Sequence, residues 1–311
     1  MMRAIFFIFL FMLNSSLFIS GCGFGDSKPY IRFKETEQLQ QVKQSSAKET
    51  IQPLRIVVSS VLPYKETSGY YRQIAEHLAI QIGRPTELIQ RQSNMEVSIL
   101  LANGGADIAL FSTGTYVSYA ESHTLEALAM QQRLGTPFYY SYVVVPKDTD
   151  IITFASLRGK SFAFTDTLSF SGYLIPSYML KRSAMTPEQF FSRYLFTYSH
   201  MKSLRAVAER VVDGAAIDSS VYEYAKENSP ELIDAVRIIS TSMPIGTGPV
   251  VVKKNMSEDQ KELLRSILLN MHHNVDMRQT LKGLMIDRFI AAKSEYYEYP
   301  ARITQEMRSQ L

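Results

Sequence analysis

The sequence predicts an α/β protein of two lobes, each built on a mostly parallel sheet flanked by helices. Apolar, β-branched runs alternate with helical patterns along much of the chain, which is typical of βαβ units. The same order of helix, glycine, short strand and tyrosine-rich helix occurs twice, around Gly104 and around Gly214. Two long extended runs, at 138–146 and 236–252, supply the two crossings that a chain needs to leave one lobe and return to it.

The two crossings set the predicted lobe boundaries. The first lobe takes residues 53–139 and 246–311, the second lobe takes residues 140–245, and the crossing strands form the hinge. In α/β sheets ligands gather at the carboxyl ends of the strands. The cleft where those ends face one another is therefore the expected ligand site.

The elements of the first lobe follow from local patterns. Asn94 is a favourable N-cap for the second helix, and Gly83 is expected to end the first. The predicted order is a strand at 54–63, a helix at 68–82, a strand at 86–92, a helix at 95–102 and a strand at 106–112.

The second lobe repeats this order. Ser199 is the expected N-cap of a helix with Leu204 and Val207 on one apolar face. The predicted elements are a strand at 158–166, a helix ending near residue 181, a strand at 194–198, the helix after Ser199 and a strand from Gly214. Two further helices, at 257–273 and 274–292, are expected to pack on the first lobe.

The N-terminal region has the pattern of an export signal. A short cationic start precedes an apolar run at 4–13 that is too short to span a bilayer comfortably. The segment ends in Ile-Ser-Gly-Cys, which resembles the lipobox of bacterial lipoproteins and implies lipidation of Cys22, the single cysteine of the chain. The sequence thus predicts a signal peptide at 1–21, a lipidated tether at 22–52 and a body held at the membrane of the bacterial cell envelope, in the periplasm or another extracytoplasmic space.

Composition and motifs argue against several functional classes. The net charge is +3 and no basic run is longer than a residue pair, so nucleic-acid binding is not expected. The chain has no phosphate-binding P-loop and no G-x-S-x-G nucleophile motif, and His272 and His273 lack ligands at zinc spacing. We therefore expect a monomeric binding protein for a small molecule, with neither catalytic activity nor a cofactor or metal.

The stretch DTLSFSGYLIP, at 166–176, gathers two serines and a glycine before an apolar run. One interpretation is a serine cap followed by a turn glycine. The other is a helix start whose free N–H groups and hydroxyls hold an anion, because a helix N-terminus carries about half a positive charge. Nothing within this stretch decides between the two.

Four segments of the body resemble the periplasmic phosphonate- and phosphite-binding proteins of ABC importers, within the larger two-lobe (type II-like) group of periplasmic binding proteins. They occur in the order of that family and cover most of 54–271. The segments are GADIALFSTGTYVSYA, LRGKSFAFTDTLSFSGYLIPSYML, SHMKSLRAVAERVVDGAAIDSSVYE and SMPIGTGPVVVKKNMSEDQKELLRSILLNM. The resemblance implies capture of a phosphonate-, phosphite- or phosphate-like oxyanion and delivery to a permease.

The resemblance also implies a set of ligand-binding residues. The serines and N–H groups at the helix start would bind the oxyanion, and aromatic and polar residues from neighbouring segments would complete the site. These residues are Ser169, Phe170, Ser171, Gly172, Tyr116, His200, Asp218 and Tyr64. Asp218 has a second interpretation, as the cap of the helix that follows it.

One position departs from the family pattern. Phe170 stands where the family usually has threonine, so one hydroxyl donor is missing. The alternatives are an oxyanion with fewer hydrogen bonds, a ligand with a substituent that stacks on Phe170, or a ligand site that has diverged to another function. Relatives that report an oxyanion to a membrane kinase, without feeding a permease, provide a further alternative. Relatives that bind arsenite use cysteines, which the mature body lacks.

Overall fold

A computed structural model describes residues 51–120 and 124–308. The predicted signal peptide, Cys22 and nearly all of the tether lie outside these residues. Within the described ranges, no helix has both the length and the apolar character needed to cross a bilayer.

The strands and helices alternate along the chain, as the sequence predicts. The strands are β1 (Leu54–Ser59), β2 (Thr86–Arg91), β3 (Ile108–Leu110), β4 (Leu125–Gln132), β5 (Phe138–Tyr139), β6 (Ser141–Pro146), β7 (Ser161–Phe164), β8 (Arg193–Phe196), β9 (Gly214–Asp218), β10 (Val236–Thr241), β11 (Ile245–Gly246), β12 (Pro249–Lys253) and β13 (Arg288–Ile290). The helices are α1 (Tyr64–Ile82), α2 (Asn94–Ala102), α3 (Thr113–Ala120), α4 (Ile175–Arg182), α5 (Pro187–Phe190), α6 (His200–Ala208), α7 (Ser219–Asn228), α8 (Pro230–Asp234), α9 (Glu258–Asn270), α10 (Val275–Gly283) and α11 (Glu298–Arg308).

The strands form two main sheets. The first sheet has the order β13-β4-β12-β3-β1-β2, and the second has the order β10-β6-β9-β7-β8. Only β1 with its neighbours β2 and β3, and β7 with its neighbours β8 and β9, pair in parallel. The other pairs are antiparallel, so the prediction of mostly parallel sheets is wrong and both sheets are mixed.

The antiparallel pairing follows from the two crossings. The chain leaves the first sheet through β5 and enters the second as β6, and it returns through β11 to enter the first sheet as β12. β5 and β11 pair with each other as a two-stranded antiparallel sheet, with Tyr139 opposite Ile245. The crossing strands β6 and β12 thus each lie antiparallel against a strand of their sheet, which no local sequence pattern specifies. The lobe boundaries remain predictions.

Helices cover both sheets. α1, α9 and α10 pack on the first sheet around one apolar core, and α6, α7 and α8 pack on one face of the second. α9 and α10 thus pack on the first sheet, to whose lobe the sequence assigns them. The predicted helix at 274–292 is too long, because the chain forms β13 at the edge of the first sheet after α10 ends. The predicted N-cap of α2 also moves by one residue, from Asn94 to Ser93, whose hydroxyl accepts the Met95 N–H.

The last helix, α11, contacts both halves of the body. It packs on α3 of the first lobe and on α4 of the second. Its residue Ile303 belongs to a small apolar cluster together with Ile175 from α4 and with Tyr139 and Ile245 from the crossing strands. This helix has no counterpart in the sequence prediction.

Candidate functional site

A small cavity lies where the carboxyl ends of strands from both sheets meet. Its volume is about 70 Å³, which corresponds to about five water molecules. The cavity is lined by residues that end, or closely follow, six strands: β1, β2, β3, β7, β8 and β9. These residues are, in that order, Ser59, Asn94, Ser112, Thr165, His200 and Asp218. The cavity therefore lies where the topology of α/β sheets predicts a ligand site.

Several helices begin at this cavity. The first turns of α2, α3, α6 and α7 each contribute a lining residue. So does the π turn (Phe170–Leu174) that leads into α4. These residues are Asn94, Thr113, His200, Ser220 and Phe170. Each helix start contributes partial positive charge and N–H groups without an intrahelical acceptor. The convergence favours an anion in the cavity.

The stretch 166–176 forms one wall. Ser169 is the N-cap of the π turn, and its Oγ accepts the Gly172 N–H at 3.0 Å. Within the described ranges the backbone N–H groups of Phe170 and Ser171 have no acceptor. Ser169 and Ser171 are both buried and both line the cavity. The serine cap and the helix start with free N–H groups are thus the same feature, and the two interpretations of this stretch are compatible.

Gly172 is required by close packing. A Cβ atom at this position would lie 2.3 Å from Thr165 Oγ1 and 2.6 Å from Thr165 Cβ. Any side chain would push the helix start away from the end of β7. The glycine therefore allows Ser169 and Ser171 to reach the cavity wall.

His200 is held as a neutral hydrogen-bond donor. The Asp218 backbone N–H donates to Nδ1 at 3.0 Å, so Nδ1 is an acceptor and the ring proton lies on Nε2. Burial lowers the pKa of His200 to about 3, and the ring stays uncharged at neutral pH. Nε2 lies 3.4 Å from Ser169 Oγ, which places its N–H beside the helix start.

Asp218 has both roles that the sequence left open. Its Oδ1 accepts the Ser220 N–H at 2.7 Å, so the carboxylate caps α7. It also lines the cavity. Burial raises the pKa of Asp218 to about 6. The cavity therefore contains an acceptor that changes charge close to neutral pH.

The ring of Phe170 is packed in an apolar cluster. It is 1% exposed and lies with Tyr139, Ile175 and Ile303. Tyr299 from α11 meets the ring edge-on, with 6.2 Å between centroids. The residue borders the cavity, but its packing contacts with α4 and α11 account for an aromatic side chain at this position.

The structure does not bring two of the predicted residues to the cavity. Tyr116 is half-buried and meets Tyr297 edge-on at 4.7 Å between ring centroids. Tyr64 is the first residue of α1 and is 54% exposed. Neither is among the described residues that line the cavity.

Sequence analysis missed two charged residues of the cavity wall. Arg133 follows β4 in a tight turn with Leu134 and Gly135, a pattern that is typical of an exposed hairpin, yet it is 6% exposed. Asp166 belongs to the stretch that the sequence singled out, but its acidic side chain gave no reason to assign it to an anion site. Both residues line the cavity.

The two lobes touch directly beside the cavity. Asp166 of the second lobe accepts the Asn94 N–H of the first at 3.1 Å, so its carboxylate caps α2 across the cleft. Gly114, in the first turn of α3, faces the loop before the π turn, and a Cβ there would lie 2.1 Å from the Leu168 carbonyl oxygen. These two contacts therefore hold the segments on either side of the cleft close together beside the cavity.

Comparison with known proteins gives a consistent assignment. The family model of the ABC transporter phosphonate periplasmic substrate-binding proteins matches residues 56–297. The phosphonates-binding periplasmic protein of Escherichia coli (strain K12) is 28% identical over 154 residues, which are 48% of this chain and 45% of that protein. That match thus spans less than half the length of the curated relative.

Solved structures share the fold. A binding protein component of an ABC phosphonate transporter from Pseudomonas aeruginosa has a TM-score of 0.75 and 22% identity, covering 81% of this chain and 86% of that one. A protein from Prochlorococcus marinus in complex with methylphosphonate has a TM-score of 0.74 and 19% identity, covering 82% and 97%. With most of the body matched by the family model and by this two-lobe fold, the chain belongs to the family of periplasmic substrate-binding proteins of phosphonate ABC transporters.

Proposed function

We propose that this protein captures a small phosphorus oxyanion, such as a phosphonate, phosphite or phosphate, in the cavity between its lobes and delivers it to an ABC permease. The observation that carries the proposal is the convergence of helix starts and buried hydroxyls on one small cavity. Family membership and the methylphosphonate complex of the Prochlorococcus marinus protein support it.

We assign the oxyanion to the helix start at the π turn. Ser169 and Ser171 donate their hydroxyl protons, and the free N–H groups of Phe170 and Ser171 donate beside them. His200 donates from Nε2. Asp218 accepts a hydrogen bond from a protonated ligand oxygen or from a donor on its substituent. Tyr116 and Tyr64 stay outside this assignment because they lie away from the cavity.

These donors suffice for useful affinity. A hydrogen bond to a charged group contributes roughly 1.5–3 kcal/mol. Four or five of them can supply the roughly 8 kcal/mol of a micromolar complex after the costs of association are subtracted. The cavity, of about 70 Å³, has room for an anion of a few heavy atoms.

The test is calorimetric titration of the protein, purified in mild detergent as the cell makes it. The panel is phosphate, phosphite, methylphosphonate and aminoethylphosphonate, with sulfate as the control anion. We expect tight binding of at least one phosphorus oxyanion and weaker binding of sulfate, which cannot donate a proton to Asp218. Absence of binding across the panel, by folded protein shown to contain no carried-over ligand, would refute the proposed ligand class.

The contact between α3 and the π turn provides a second prediction. Gly114→Ala places a methyl group against the backbone of Leu168, which cannot move aside as a flexible side chain would. Overpacking of this kind costs about 1–3 kcal/mol, so we expect methylphosphonate affinity to fall about 5- to 150-fold.

Gly69→Ala is the matched control for this prediction. Gly69 lies within α1 with no atom near its missing Cβ, so alanine should leave affinity unchanged and slightly raise stability. Unaltered affinity in the Gly114 variant would mean that the ligand does not need the contact between α3 and the π turn.

We also propose that Cys22 holds the protein at the membrane through acyl chains. This rests on the Ile-Ser-Gly-Cys sequence and on the family to which the body belongs. Mass spectrometry of the mature N-terminus tests it, since an unmodified N-terminal peptide preceding residue 22 would contradict lipidation.

A further inference from the structure

Arg133 is a buried cation in the wall of the cavity. It follows β4 and opens the tight turn that leads to β5, so it lies where the chain leaves the first sheet for the crossing. The residue is among those that line the cavity and is 6% exposed. Arginine keeps its charge in proteins, and burying that charge without a partner is costly.

The hydrogen bonds of Arg133 leave part of the guanidinium uncommitted. Nε and Nη2 donate to Gln131 Oε1, and Nη1 donates to the Leu284 carbonyl oxygen. The group has five N–H bonds, so two of them have no acceptor within the described ranges. The neutral amide and carbonyl fix the orientation of the guanidinium but do not balance its charge.

Carboxylates do not neutralise this arginine at close range. In the described part of the chain none lies within ion-pair distance of it, and Asp218 and Asp287 act on it only from farther away. Lys261, a second buried cation, differs from Arg133 in its partners. It is 1% exposed and pairs with Glu126 at 2.8 Å and Glu258 at 2.7 Å. Lys261, a buried cation away from the cavity, thus has two anionic partners, whereas Arg133 has none within ion-pair distance in the described residues.

We propose that Arg133 is the charged partner of the ligand, donating its two uncommitted N–H groups to the oxyanion. This inference rests on the proposed function and deepens it. The helix starts supply partial charges, whereas Arg133 supplies a full one, and its planar fork matches two oxygens of a phosphonate. The site then selects ligands by net negative charge as well as by shape.

The experiment compares three variants by methylphosphonate titration. Arg133→Gln removes the charge and keeps a polar side chain, and we expect its affinity to fall about 10- to 100-fold. Arg133→Lys keeps the charge but loses the fork, and an intermediate loss is expected. Lys261→Gln removes a buried cation away from the cavity, and affinity should remain that of the wild type although the melting temperature falls.

A measurement on the wild-type protein keeps the inference testable where a variant fails to fold. The side-chain ¹⁵N resonances of arginine should include one guanidinium that shifts when methylphosphonate is added, and that resonance should be missing from Arg133→Lys. A guanidinium that does not respond to a ligand the protein binds would overturn the inference.

The outcomes separate this inference from the proposed function. Arg133→Gln could bind with wild-type affinity while replacement of Ser169 weakens binding. That result would support the proposed function but overturn the inference, and Arg133 would only stabilise its own turn. A wild-type protein that binds none of the phosphorus oxyanions would overturn both. A loss in Lys261→Gln equal to that in Arg133→Gln would trace the effect to stability and also overturn the inference.

Discussion

Replacing Ser169 and Ser171 together by alanine is expected to weaken methylphosphonate binding at least tenfold. The two hydroxyls line the cavity at a helix start and are buried. Each hydrogen bond to a charged group contributes roughly 1.5–3 kcal/mol, so their joint loss removes a large part of the binding free energy. Calorimetry of the double variant against the wild type measures the effect.

The control for the serine variant separates binding from capping. Ser169 also caps the π turn, so its replacement costs about 1 kcal/mol of stability by that route alone. Ser257 caps α9 away from the cavity and accepts the Gln260 N–H. Ser257→Ala should lower stability by a similar amount without changing affinity. Equal affinity for the double variant and the wild type would remove the π turn from the binding site.

Phe170→Thr is expected to destabilise the protein even though it restores the residue that the family usually has at this position. The ring fills a cluster shared with α4 and α11. Truncating a buried phenylalanine to alanine costs about 3–5 kcal/mol, and threonine is little larger and adds a buried hydroxyl. The melting temperature should fall by about 2 °C or more for each kcal/mol lost.

Phe170→Leu is the matched control for the threonine variant. Leucine keeps the position apolar and most of its volume, so the cost should stay near 1.5 kcal/mol or less. The ligand affinity of both variants should change much less than their stability. A threonine variant as stable as the wild type that binds methylphosphonate more tightly would show that position 170 serves the ligand and not the packing.

Much of the fold could be predicted because it is encoded locally. The β-branched run of β1 and the apolar face of α6, with Leu204 and Val207 fully buried, carry their periodicity in adjacent residues. The direction in which β6 and β12 enter their sheets depends on the path of the chain between lobes. That path produces no periodic pattern in the sequence. The sheets were therefore predicted to be mostly parallel, whereas they are mixed.

The candidate site was predicted unevenly for a related reason. Ser169 and His200 begin helices, and helix starts have recognisable sequence patterns. Arg133 lies in the turn Arg-Leu-Gly-Thr, which has the composition of a solvated hairpin. Its contacts are with Leu284, which is distant in sequence, and with Gln131, which lies on the preceding strand β4. Tyr116 was assigned to the site only because its segment resembles the family pattern. In the structure it packs against Tyr297 and does not line the cavity.

The last helix, α11, should influence how tightly the cavity binds its ligand, although it lies outside the cavity. α11 joins the two lobes, because Ile303 packs with residues of the second lobe while Arg308 donates to the Ser118 carbonyl of the first at 2.6 Å. None of its described residues lines the cavity. If the ligand contacts both sides of the cleft, only molecules in which the two sides are in contact bind it fully. The apparent affinity is then reduced by the fraction of molecules in that state. Substitutions in α11 therefore shift this population, and with it the measured dissociation constant, without touching the ligand.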